Sequence, residues 1–81
     1  MEKLLQQFGE RLKQIRKEKG ESQETFAHTL GLNRVQYWRL EKAITNPSLL
    51  LMQRITKNLG ITLSELLNDI EQIEIANEQK K

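Results

Sequence analysis

Apolar residues recur along this chain at steps of three and four, and nowhere as a useful run of alternating Val, Ile and Thr. Leu5, Phe8, Leu12 and Ile15 form one stripe, the spacing of a helix with one buried face. The pattern predicts a first helix from Leu4 to Lys19 that stops at Gly20. Gly9 inside it weakens the helix by up to about 1 kcal/mol relative to alanine, and close approach of another backbone would account for it. Ser22 is a natural N-cap for a second helix, Gln23 to Leu30, with Glu24 in its first turn. Gly31 stops it, and Asn33 caps a third helix reaching about Lys42.

Asn46-Pro47 predicts the start of a fourth helix, with Pro47 at its first position, ending at Gly60. Thr62-Leu63-Ser64-Glu65 reads as a capping box for a fifth. The expected fold is all-α: five short helices in one compact domain over residues 1–76. A helix-turn-helix occupies 23–42, a dimerisation segment about 63–76, and a frayed tail 77–81.

With 81 residues, one small domain is expected, near the size at which a single apolar core just suffices. The chain has no cysteine and one histidine, His28, so neither disulfides nor a zinc site made of histidine and thiolate is expected to staple it. No apolar run approaches the roughly 20 residues that span a bilayer, and the N-terminus is too polar for a secretory leader. A cytoplasmic, soluble protein without a cofactor is expected. The net charge of +2 is small, but residues 1–42 hold nine Lys/Arg against six Asp/Glu. Residues 61–79 hold five acids and no base. A basic half suits a polyanion, and the acidic end is left for another role.

Between Gln23 and Lys42, two short helices flank Gly31-Leu32-Asn33. Ala27 is small enough for a steep helix crossing, and Gly31 tolerates the positive φ of a sharp turn. Phe26, Leu30, Leu32, Tyr37 and Leu40 would lock the two helices together. Residues 34, 35, 38 and 39 would face outward for the major groove.

These pieces resemble the lambda-repressor-like, Cro/Xre-type helix-turn-helix family. The resemblance rests on Ile15-Arg16 before Gly20, Ser22-Gln23-Glu24, Ala27, Leu30-Gly31-Leu32, Arg34 and Arg39-Leu40-Glu41, followed by Asn46-Pro47-Ser48-Leu49 and Leu59-Gly60-Ile61-Thr62-Leu63. It runs from about Phe8 to Leu67. The chain departs from the pattern at Ala43, where glycine is usual, at Trp38, where a small polar residue is common, and at Leu50 and Leu51, where polar residues are common.

The resemblance implies that Gln23, Thr45 and Asn46 meet phosphates. It also implies that Asn33, Arg34, Val35 and Arg39 face base edges. Gln36 lies at the edge of that face, within reach of a base or a phosphate. Trp38 is left open among stacking beside DNA, covering the second helix and anchoring a partner. Arg34 and Arg39 suit guanine O6 and N7, and Val35 a thymine methyl. The resemblance also implies a structural salt bridge between Arg16 and Glu41.

The expected function is a sequence-specific transcriptional regulator, a repressor, binding double-stranded DNA as a homodimer on a pseudo-palindrome. The dimer is expected to use the stripe Leu66, Ile70 and Ile73, with Leu50. A second reading stays open: an antitoxin or adaptor whose main partner is a protein such as a toxin. Catalysis is not expected, because Ser22, Ser48 and Ser64 have no base in view and no phosphate-binding glycine loop exists.

Overall fold

The structure, a computed structural model, describes residues 3–67. Four helices follow in order: α1 Lys3–Glu18, α2 Gln23–Thr29, α3 Arg34–Glu41 and α4 Leu49–Leu59. A fifth helical segment begins at residue 63 and continues to 67, the end of the described chain. Among these residues the architecture is helices joined by short turns, and none of the helices is long and apolar enough to cross a membrane.

Short-range chemistry sets the helix starts. The Ser22 hydroxyl accepts from the Thr25 amide at 3.1 Å. Thr62 and Glu65 form a reciprocal capping box, with Thr62 N to Glu65 Oε1 at 2.8 Å and Glu65 N to Thr62 Oγ1 at 3.0 Å. Each satisfies a backbone donor that has no partner in the first turn. The fourth helix starts later than its proline suggests. Ser48 is its N-cap, accepting from Leu51 N at 3.1 Å, and Pro47 lies outside the helix. A serine hydroxyl in reach of a free amide stabilises that start more than a proline that merely tolerates the position.

Phe8, Leu12 and Ile15 from α1, Phe26, Ala27 and Leu30 around α2, Tyr37 and Leu40 from α3, Ile55 from α4 and Leu66 form one core. Leu66 is fully buried, which corrects its assignment to a dimer surface. Three leucines, at 63, 66 and 67, fit the same helical stripe. The core closes over Leu66, while Leu63 and Leu67 pack partly buried against it. Arg11 holds this segment to α1 by donating to the carbonyls of Leu66 (3.3 Å) and Glu65 (3.1 Å). Its sequence context suggests only a solvated charge.

Gly9 is the contact point between α1 and α3. A Cβ there would stand 2.5 Å from the Glu41 carbonyl oxygen and 2.9 Å from that of Leu40. Only a residue without a side chain lets the two backbones approach so closely.

Candidate nucleic-acid interface

The turn between α2 and α3 is made by Gly31 at φ 78°, a left-handed conformation in which a side chain is strained. The Leu32 amide bonds back to the Ala27 carbonyl at 2.9 Å. Asn33 then opens α3 with a full capping box. Its Oδ1 accepts from Gln36 N at 2.8 Å, and Gln36 Oε1 accepts from Asn33 N at 2.9 Å.

One face of α3 is locked inward. Tyr37 and Leu40 are buried, and the Tyr37 ring meets Phe26 edge to face, centroids 5.3 Å apart at 85°. Such pairing adds about 0.5–1.5 kcal/mol beyond burial. The other face is open. Arg34, Gln36 and Arg39 are exposed, together with Val35 (55%) and Trp38 (41%). A valine more than half exposed beside two arginines puts a methyl face next to two donor forks, a combination that suits a groove lined by phosphates and base edges. Lys42, at the C-cap of α3, and Ile44 are exposed on the same stretch. Neither stood out in the sequence, because both lie past the last periodic residue of the helix.

The far end of α3 is fixed by Glu41, whose side chain is only 5% exposed. Its carboxylate accepts from Arg16 Nε (3.1 Å) and Arg16 Nη2 (3.3 Å). It also accepts from Gln23 Nε2 (3.1 Å) and from the Tyr37 hydroxyl. Arg16 Nη1 donates in addition to the Glu21 carbonyl at 3.2 Å. One buried carboxylate therefore gathers α1, the first turn of α2 and α3 itself. Burial alone would push the Glu41 carboxyl up. The hydrogen bonds from Tyr37, Arg16 and Gln23 outweigh that and hold it below the usual carboxylate range. Burial and the bond to Glu41 push the Tyr37 phenol well up, and the bond to Glu41 raises Arg16. At neutral pH the group is Arg⁺, Glu⁻ and neutral Tyr.

Gln23 stands at the start of α2, as its phosphate assignment requires, but its amide nitrogen also donates to Glu41. Asn33 and Gln36 lie at the N-terminal end of the open face with their amide oxygens held in the capping box. Arg34, Val35, Trp38 and Arg39 share that face. Thr45, half-buried, and Asn46, exposed, follow it in the loop before α4. Leu50 is 77% exposed, beside Leu49 at 65%. Ile70 and Ile73 lie outside the described residues.

A helix-turn-helix family model matches residues 12–66. The control protein C.MunI of a Mycoplasma species is 49% identical over 65 residues, covering 79% of this chain and 88% of that protein. The transcriptional regulator SinR of Bacillus licheniformis is 33% identical over 68 residues, 83% of this chain and 61% of that regulator. Among solved structures, the restriction-modification controller protein C.AhdI from Aeromonas hydrophila matches with a TM-score of 0.69 and 39% identity. That match covers 76% of this chain and 94% of the other. The locked α2–turn–α3 unit, its open basic face and these matches agree: the chain belongs to the lambda-repressor-like, Cro/Xre-type helix-turn-helix family of DNA-binding transcription regulators.

Proposed function

We propose that the protein is a sequence-specific repressor that binds a pseudo-palindromic operator as a homodimer, one α3 from each protomer in the major groove. The observation that carries this reading is the split of α3: Tyr37 and Leu40 wholly inside, Arg34, Val35, Trp38 and Arg39 outside. A helix of eight residues spans only a few base pairs, too few to select one site among many. Two copies one helical turn apart, roughly 34 Å, solve that problem. The apolar surface at Leu49 and Leu50, on α4, suits pairing, and the sequence stripe that includes Ile70 and Ile73 offers further apolar residues for it. Repression needs nothing more than operator occupancy, whereas activation needs a further surface for polymerase.

The likeness to the restriction-modification controller protein C.AhdI, alongside that to the control protein C.MunI, supports a role in controlling the genes of a restriction–modification system. Selection of bound sequences from a random DNA library, followed by sedimentation of the free and bound protein, tests the proposal. A two-fold symmetric consensus and a 2:1 complex are expected. A monomer that binds a single half-site as tightly as a palindrome would sink the dimer, and the absence of any consensus would sink the operator.

A further inference from the structure

The outward side chains of α3 offer donors and apolar groups, and the two amide oxygens at its N-terminal end are each turned onto a backbone amide of the capping box. The exposed positions of the helix and its C-cap that face outward are Arg34, Val35, Gln36, Trp38, Arg39 and Lys42. Guanidinium, ammonium and indole N–H groups only donate, and valine has no polar atom. The remaining acceptors are two amide oxygens. Gln36 Oε1 takes the Asn33 amide hydrogen, and Asn33 Oδ1 takes that of Gln36. The carboxylate of Glu41 is enclosed and saturated by Arg16, Gln23 and Tyr37.

We propose that α3 reads its operator through acceptors alone. Its specific bonds fall on guanine O6 and N7 and on thymine O4 with its methyl group. None goes to the amino groups of adenine N6 or cytosine N4. The inference rests on the operator-binding reading above and deepens it. In the major groove, adenine is read by a side-chain amide that presents oxygen to N6 and nitrogen to N7 together. With its oxygen turned back onto the Asn33 amide, Gln36 does not present that pair. Freeing that oxygen would leave a backbone donor of the first turn without its partner. Gln36 therefore brings only Nε2, a donor. Arg34 and Arg39 each match the paired acceptors of guanine, and Val35 matches a thymine methyl. An adenine in the half-site is recognised by the thymine opposite it.

The test uses the whole protein and the operator recovered from the random library. Duplexes are made with one base changed at a time: guanine to 7-deazaguanine, thymine to uracil, or adenine to purine lacking the 6-amino group. Roughly tenfold weaker binding is expected at one or more 7-deazaguanine positions. Several-fold weaker binding is expected at a uracil, and less than about twofold at every purine. The variant Gln36→Glu keeps the capping oxygen and puts an acceptor in place of the donor, so any shift in base preference it shows should be away from a guanine or thymine acceptor and toward an adenine or cytosine amino group. A tenfold loss on removing any adenine amino group from the wild-type complex, or a shift in Gln36→Glu away from an amino group, overturns the inference while leaving the operator reading intact. A library that returns no preferred sequence removes the operator reading, and this inference falls with it.

Discussion

The backbone of Gly9 lies against the carbonyl end of α3, so that a Cβ on Gly9 would stand 2.5 Å from the oxygen of Glu41. The same residue, Glu41, carries the carboxylate that ties α1, α2 and α3 together. The spacing of the first helix from the recognition helix therefore depends on a hydrogen atom at position 9. In Gly9→Ala, the helix-propensity gain of about 1 kcal/mol is set against a backbone clash that only separation of α1 from α3 relieves. A net loss of about 1–3 kcal/mol is expected, in the range of overpacked cores, measured by urea denaturation. A more stable Gly9→Ala variant would contradict the close approach.

The Glu41 cluster makes stability depend on pH with a definite sign. The folded-state pKa of Glu41 is depressed, so its contribution is fully present above the ordinary glutamate value of about 4.3. It is lost as pH falls through the lower folded value. Glu41→Gln should flatten the acid limb of the stability curve in that window and lower stability at neutral pH. Tyr37 is shifted upward, so its contribution holds below its ordinary value near 10 and fades as pH rises through the folded value. Arg16→Ala leaves a nearly buried carboxylate without its cation and should cost about 2–4 kcal/mol. Denaturant titrations from acid to alkaline pH check all three. A Glu41→Gln variant with the wild-type acid limb would refute the sign.

Ala43 occupies a left-handed conformation at φ 60° and is buried. A left-handed backbone costs an L-residue about 1–2 kcal/mol, while its buried methyl contributes under about 1 kcal/mol. Ala43→Gly should therefore gain about 0.5 kcal/mol, and Ala43→Val, with a β-branched side chain, should lose more than about 1 kcal/mol. Thermal melts should rank the three as Gly, Ala, Val.

Phosphate and base contacts respond differently to substitution. Gln23→Ala should weaken operator and random DNA by similar factors, because a backbone contact carries no sequence information. It should also lower stability slightly through the lost bond to Glu41. Arg34→Ala and Arg39→Ala should each cost about 1–3 kcal/mol on operator and relax one or two base pairs per half-site, leaving the melting temperature nearly unchanged. Binding titrations on both kinds of DNA separate the classes. Loss on operator alone for Gln23→Ala would remove its phosphate role.

Leu66 and Leu50 part company in assembly. Leu66→Ala removes a fully buried side chain and should cost about 2–5 kcal/mol. Leu50→Glu alters an exposed one and should leave the fold intact while shifting sedimentation toward the monomer. Dimers that survive Leu50→Glu unchanged would take α4 out of the interface.

Residues three or four apart determined much of this protein without help from the rest of the chain. The caps at Ser22, Asn33 and Thr62 and the left-handed turn at Gly31 were legible because they depend on neighbours along the chain. So was the division of α3 into Tyr37 and Leu40 against Arg34, Val35, Trp38 and Arg39. A helix stripe, however, is wide enough to admit several leucines. The packing of α1 and α4 around the last segment is what put Leu66 inside and left Leu50 out. Distant partners likewise decided that Arg11 holds two carbonyls 54 and 55 positions away and that Gln23 is bound to Glu41. They also explain why position 9 must be glycine. These contacts join residues far apart in sequence, and no local propensity encodes a distance that exists only once the helices have packed.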